Sequence, residues 1–158
     1  MKSALWIGTG FVAILFMVFT FWNPKNYVRD YFSVIGLPSG HLYKYVKEAH
    51  GEPNNIISGN DKKYLVVQYD GIEFVLNNRD NTPSDSDFVD CIRIYSPEIR
   101  FGWKKIGVSS TKAEVEKVYK NFQKIKEADC GFIDGCAWIR FYFDENQKVN
   151  KIVITMGL

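Results

Sequence analysis

The segment Ala4–Trp22 holds nineteen residues and not one charge, and no other feature constrains the chain so tightly. As a helix rising about 1.5 Å per residue it reaches roughly 28 Å, close to a hydrocarbon thickness of about 30 Å. A helix on the surface of a soluble domain carries a polar face, and this segment has none. Trp6 and Trp22 stand near its two ends, where amphipathic rings favour the membrane–water interface. Pro24 stops the helix, and Asn23 before it is biased away from helical geometry. The pattern predicts a tail of residues 1–3, a single transmembrane anchor over 4–22 in contact with membrane lipid, and a juxtamembrane segment over 23–34.

Three other readings fit less well. A cleaved signal peptide needs small residues before the cut, whereas the apolar run leaves through Phe19-Thr20-Phe21-Trp22. A lipoprotein needs a cysteine just after the run, and the first cysteine is Cys91. A fully buried core helix would be unusual at this position. Flanking charge does not set the orientation, because Lys2 is balanced by Lys25 and Arg29. A short tail before a long translocated domain favours a single-pass protein with its domain extracytoplasmic, on the periplasmic or cell-surface side.

Residues 35–158 are one domain's worth of chain. With Lys2 set aside, 19 Lys and Arg face 18 Asp and Glu. Near neutrality argues against nucleic acid as a partner, which demands a clustered basic excess, and offers no polybasic stripe for lipid headgroups.

Within this domain Leu42, Tyr45, Val46 and Ala49 recur at helical spacing, predicting a helix over His41 to His50 that Gly51 ends, with Pro53 beyond. Two β-rich runs, Lys63 to Tyr69 and Ile72 to Leu76, flank Asp70-Gly71, a hairpin signal in which both turn residues tolerate positive φ. Asn77 to Asp87 reads as a mobile polar loop, Phe88 to Tyr95 as a strand, and Ile99 to Trp103 as another. Thr111 and Glu114 form a capping-box pair opening a helix to about Ala128, with Val115, Val118, Tyr119, Phe122 and Ile125 on one face. Ala137 to Phe143 and Val149 to Thr155 are strands joined by Asp144-Glu145-Asn146-Gln147.

Ile35-Gly36 and Ile106-Gly107 each precede a small polar stretch, an amphipathic helix and a hairpin. The expectation is therefore an α+β domain, an antiparallel sheet with two helices on one face, built from two helix–hairpin units over about 35–103 and 104–158. The first unit, through Ile35-Gly36, Val46, His50-Gly51-Glu52-Pro53 and Tyr69-Asp70-Gly71, resembles the SmpA/OmlA (BamE-like) family and the tandem units of β-lactamase-inhibitor-like proteins. The second keeps Gly107 and Ser109 to Val115 but has no Gly-x-Pro after its helix. The resemblance implies an extracytoplasmic domain that binds proteins without catalysis. The missing lipid-attachment cysteine departs from the outer-membrane lipoprotein pattern.

Candidate chemistry is sparse. His41 and His50, nine residues apart, lie about 2.5 turns apart on a helix and face different sides, and His50 in the last turn suits the helix dipole. Cys130 and Cys136 bracket two glycines and either form a disulfide or, with Cys91, are three unpaired thiols. Asp80, Asp85, Asp87 and Asp90 lack the glycine and terminal glutamate of a calcium loop. No cofactor or metal motif is present. Strand alternation places Trp138, Arg140 and Tyr142 on the face away from the helices, joined by Tyr64 and Tyr95. These residue types dominate binding hot spots and predict a protein partner there, unless the juxtamembrane segment covers the face. The rival readings are a small-ligand receptor or enzyme with a pocket between sheet and loops, Asp134 and Asp144 as its carboxylates, and a structural subunit of a membrane complex.

Overall fold

A computed structural model describes residues 34–35, 37, 41–59, 63–78, 80–101, 104–120, 123–124, 131–134 and 137–156. The anchor over 4–22, residues 23–33 of the juxtamembrane segment, Cys130 and Cys136 lie outside the described residues. Among those described, no helix is long and apolar enough to cross a membrane.

The domain is α+β. Helix α1 (Tyr43–His50) precedes β1 (Asn55–Ser58), β2 (Tyr64–Tyr69), β3 (Ile72–Asn77) and β4 (Phe88–Ile94). A small two-stranded ribbon, β5 (Arg100–Phe101) and β6 (Ile106–Gly107), leads to α2 (Lys112–Tyr119). The chain ends in β7 (Gln123–Lys124), β8 (Gly131–Asp134), β9 (Ala137–Phe143) and β10 (Val149–Met156). Eight strands form one antiparallel sheet in the order β1-β2-β3-β4-β10-β9-β8-β7. Each half of the chain thus supplies a helix and a four-strand meander, and the halves join at β4 and β10.

One face of the sheet carries the core. Val67, Phe74, Ile92, Ile154 and Ile139 stand in one cross-strand row over five strands. They share a buried cluster with Tyr43 and Val46 of α1 and with Val115 and Tyr119 of α2. Each such side chain removed from water contributes about 1.5–3 kcal/mol before conformational entropy is counted. Both helices pack on this face, as the apolar spacing predicted. The buried stripe of α1 nevertheless runs through Tyr43 and Val46, while Ala49 is exposed.

Simple alternation fails at matching places in β4 and β10. Val89 and Ile92 both reach the core although three residues apart, because the pairing shifts from Val75↔Cys91 to Leu76↔Val89 and leaves Asp90 as a bulge. Val149 and Ile152 do the same, with a shift between Val149↔Phe143 and Lys151↔Tyr142. Where β4 meets β10, Ile92 opposes Ile154 and Ile94 opposes Ile152, a register symmetric about Arg93 and Val153.

The structure departs from the sequence reading, or refines it, at four places. Helix α2 ends at Tyr119, and Gln123–Lys124 is already an edge strand rather than helix; Phe122 and Ile125 fall outside the described residues. Asn55–Ser58, unassigned from sequence, pairs with β2 as the opposite edge. In the Asp70-Gly71 turn only Gly71 takes positive φ, at 71°. A Cβ there would stand 2.5 Å from Ser96 Cβ, so glycine is required by space as well as by backbone conformation.

The fourth concerns the loop of residues 78 and 80–87, expected to be mobile and held instead by hydrogen bonds at Asn78, Ser84 and Asp87. Asn78 is buried and its Nδ2 donates to Asp87 Oδ2 (2.6 Å) and to the Thr82 carbonyl (2.9 Å). The Ser84 N–H donates to the same Asp87 oxygen. This loop caps α1 from a distance: Leu42 at its N-cap gives no side-chain hydrogen bond, and the first N–H groups, of Tyr43 and Lys44, donate to the carbonyls of Asp87 and Asp85. Lys47 adds an ion pair to Asp85 at 2.6 Å. By contrast α2 is capped locally, Glu114 N–H to Thr111 Oγ1 and Thr111 N–H to Glu114 Oε2, as the capping box predicts.

Candidate binding surface on the open sheet face

The face away from the helices carries all five predicted residues. Trp138, Tyr142, Tyr95 and Tyr64 keep 44%, 40%, 41% and 38% of their surface exposed. Period-two alternation causes this: Ala137, Ile139 and Phe141 between them are buried. The five do not form one knot. Tyr64 stands on β2 and Trp138 on β9, four strands apart, about 19 Å at roughly 4.8 Å per strand. A shallow depression of about 380 Å³ bridges part of that gap, lined by Tyr64, Val75, Asp90, Cys91, Arg93, Thr155 and Met156. Thr155 is the cross-strand partner of Trp138.

The polar groups of this face form a row. Glu73 accepts from Gln68 Nε2 (2.8 Å) through one oxygen, and from Arg93 Nη1 (3.2 Å) and the Tyr95 hydroxyl (3.5 Å) through the other. Burial pushes the Tyr95 phenol above its ordinary pKa. Beyond Val153 in the same row stands Arg140, its guanidinium 5.9 Å from the Trp138 ring. Its Nε is buried and has no hydrogen-bond partner, an unusual state for a cationic donor. Lys151 lies 4.2 Å over the Tyr142 ring. With Glu73 committed to Arg93, the other charged side chains of this face include Asp90 beside the depression and Arg140 and Lys151 farther along the sheet. Burial also raises the Cys91 thiol above its usual range, so it stays protonated at neutral pH.

The other sequence candidates do not converge. His50 Nε2 lies 2.9 Å from the Ile35 carbonyl, and its ring packs on Tyr69 and Phe74 with centroids 5.2 and 5.4 Å away; packing fixes it, in addition to any helix dipole. Burial lowers the His41 pKa, and the His41 carbonyl accepts from Val89 N–H. Asp134 and Asp144 sit at opposite ends of β9, on the order of 20 Å apart. They cannot serve as one carboxylate pair, and Asp144 caps its own turn through the N–H groups of Asn146 and Lys148. Of the acidic loop, Asp85 pairs with Lys47 and Asp87 with Asn78, and no group of acidic, His or Cys side chains suited to a metal occurs among the described residues.

A feature missed in the sequence lies on another side. The β5–β6 ribbon and α2 enclose a cleft of about 560 Å³ lined by Arg100, Lys104, Lys105, Lys117, Lys120 and Glu114. The chain-wide charge balance hid it. A local count would have found it, since residues 100–120 hold six Lys and Arg against two Glu. The expectation that no basic cluster exists is therefore corrected. Arg100 is fixed, with Nε donating to the Pro97 carbonyl (2.8 Å) and Nη1 to Ser110 Oγ (3.2 Å). That buried hydroxyl oxygen also accepts from Gly107 N–H. Two residues of the wall, Lys105 and Ser109, have φ of 54° and 74°. Left-handed backbone costs a non-glycine residue roughly 1–2 kcal/mol.

No protein-family model and no curated protein matches the chain. Among solved structures, an extracellular protein containing a SCP domain from Bacillus anthracis is similar, with TM-score 0.55 and 13% identity over 74% of this chain and 43% of that one. A cysteine-rich secretory protein from Staphylococcus aureus gives TM-score 0.49 and 8% identity, covering 74% of this chain and 44% of its own. A DUF4309 family protein from Bacillus subtilis gives 0.45 and 13%, over 84% and 97%. The chain thus spans less than half the length of the first two. None of the three is described as a SmpA/OmlA or β-lactamase-inhibitor-like protein. At this identity the likeness to the first concerns the fold alone.

Proposed function

We propose that this protein is a membrane-tethered, non-catalytic binding module, its domain outside the cytoplasm, whose open sheet face grips a partner protein. An envelope assembly factor or an inhibitor of immunity type fits that description. One observation carries the reading: Trp138 and Tyr142 flank Arg140, whose buried Nε lacks a partner, on a face otherwise rimmed by half-exposed tyrosines. Trp, Tyr and Arg are the side chains from which interface hot spots are built. The positive charge of Arg140 and Lys151 beside Trp138 and Tyr142 selects an acidic surface with apolar ground between its charges. Tandem ancestry of two helix-plus-sheet units, as in the families the sequence resembles, draws support from the matching bulges at Asp90 and Asn150 and from the symmetric β4–β10 register. The unit is then a helix with four strands rather than a helix with a hairpin.

The test is site-specific photo-crosslinking of the full-length chain in its native membrane, with the reactive residue at Tyr142 or, as a control, at the exposed Glu48 of α1. A discrete adduct from position 142, lost when Trp138→Ala is added and absent from position 48, supports the partner. An internal cross-link to residues 23–34 with no gain in mass, or equal adducts from both positions, overturns it.

A further inference from the structure

We propose that the cleft between the β5–β6 ribbon and α2 is a binding site for anionic phosphate groups. Among the described residues, five cations, Arg100, Lys104, Lys105, Lys117 and Lys120, line one concavity of about 560 Å³ with one carboxylate, Glu114. That carboxylate is occupied, since Glu114 accepts from the N–H and hydroxyl of Thr111 at 2.7 and 2.9 Å. The hydrogen bonds from Thr111 hold its pKa below the usual value, with Arg100 nearby acting the same way. The cleft therefore keeps a surplus of positive charge at neutral pH. Gathering like charges is unfavourable in itself and is relieved by an anion among them.

The walls are built rather than incidental. Arg100 is pinned by Pro97 and Ser110, and it crosses so close to Gly107 that a Cβ there would lie 2.7 Å from its Cδ. Lys105 and Ser109 hold left-handed backbone that non-glycine residues rarely adopt, and such strain concentrates where a site requires it. A fixed guanidinium with several lysines is the donor set that phosphate oxygens take, the fork matching two oxygens and the ammonium groups acting as point charges. Among the described residues, Ile106 and Val118 are the apolar members of the lining. The charge of the ligand is what the five cations read. Soluble polyphosphate and a lipid headgroup both present that chemistry.

The test titrates the full-length chain, in zwitterionic detergent at low salt, with inorganic pyrophosphate, followed by calorimetry. Parallel titrations use dihexanoyl phosphatidylglycerol, with dihexanoyl phosphatidylcholine as control. Lys117→Gln with Lys120→Gln removes two exposed charges and leaves the core untouched; Lys151→Gln removes one from the open sheet face. Saturable pyrophosphate binding, weakened at least tenfold in the double variant and unchanged in Lys151→Gln, establishes a soluble phosphate ligand. Binding of phosphatidylglycerol alone, lost in the same double variant, places the phosphate on a lipid headgroup. Failure of both ligands to bind the unmodified chain, or equal affinity in the double variant and Lys151→Gln, overturns the site.

Discussion

The Nδ2 of Asn78 donates to a carboxylate oxygen of Asp87 at 2.6 Å, and that single contact organises the loop that caps α1 from across the chain. Asn78 lies just past β3 and Asp87 just before β4, so their bond closes the loop at its base. The Asp87 carbonyl is then placed to receive the first N–H of the helix.

Asn78→Ala leaves the Asp87 carboxylate short of its buried donor, which costs about 1–3 kcal/mol. Chemical denaturation of the variant should show a lowered midpoint with an unchanged slope. Hydrogen exchange should show the amides of Tyr43 and Lys44 losing protection before the rest of α1.

Gly71 and Gly51 separate space from backbone strain. Both have positive φ, at 71° and 76°, but a Cβ on Gly71 meets Ser96 at 2.5 Å whereas one on Gly51 meets nothing within 4 Å. Gly51→Ala should cost about 1–3 kcal/mol, from strain alone. Gly71→Ala should cost more, and equal melting temperatures for the two variants would refute the role of Ser96.

Acid should weaken the domain in two steps. Burial depresses the His41 pKa below 6.5, so the unfolded chain binds that proton more readily. Its contribution is intact above pH 6.5 and is lost as pH falls through the lowered folded value. Glu114 is depressed below 4.5 by its bonds from Thr111, and its contribution is lost in the same sense below that pH. Asp90, raised by burial, works against both. Denaturation midpoints across pH 3–8 should show these losses, with the lower step reduced in Thr111→Ala.

On the open face, Trp138→Ala and Tyr142→Ala should cost about 1 kcal/mol, less than a core truncation, because 44% and 40% of their surface is already exposed. The core behaves differently: Ile139→Ala, next to Trp138 in sequence but on the opposite face, should cost about 2–5 kcal/mol. Thermal melts of the three variants check the assignment of faces.

A cysteine placed in the exposed β9–β10 turn, Glu145→Cys, reports the side of the membrane. Membrane-impermeant maleimide should label it on intact cells. Labelling that appears only after lysis would put the domain in the cytoplasm.

The legible parts of this protein are those governed by neighbours in the chain. The capping box at Thr111 and Glu114, the hairpin at Asp70-Gly71 and the alternation that puts Trp138, Arg140 and Tyr142 on the open face all follow from contacts within a few residues, and sequence determined them. The bulges at Asp90 and Asn150 were half visible, as Val and Ile three residues apart in strands that should alternate by two. The cap of α1 by Asp85 and Asp87 was invisible, because the acceptors are carbonyls more than forty residues away, and a carbonyl carries no sequence signature. The basic cleft was decided by tertiary structure too. Charges spread along residues 100–120 become one site only when the ribbon folds back against the helix, and Coulomb energy depends on distance in space rather than along the chain.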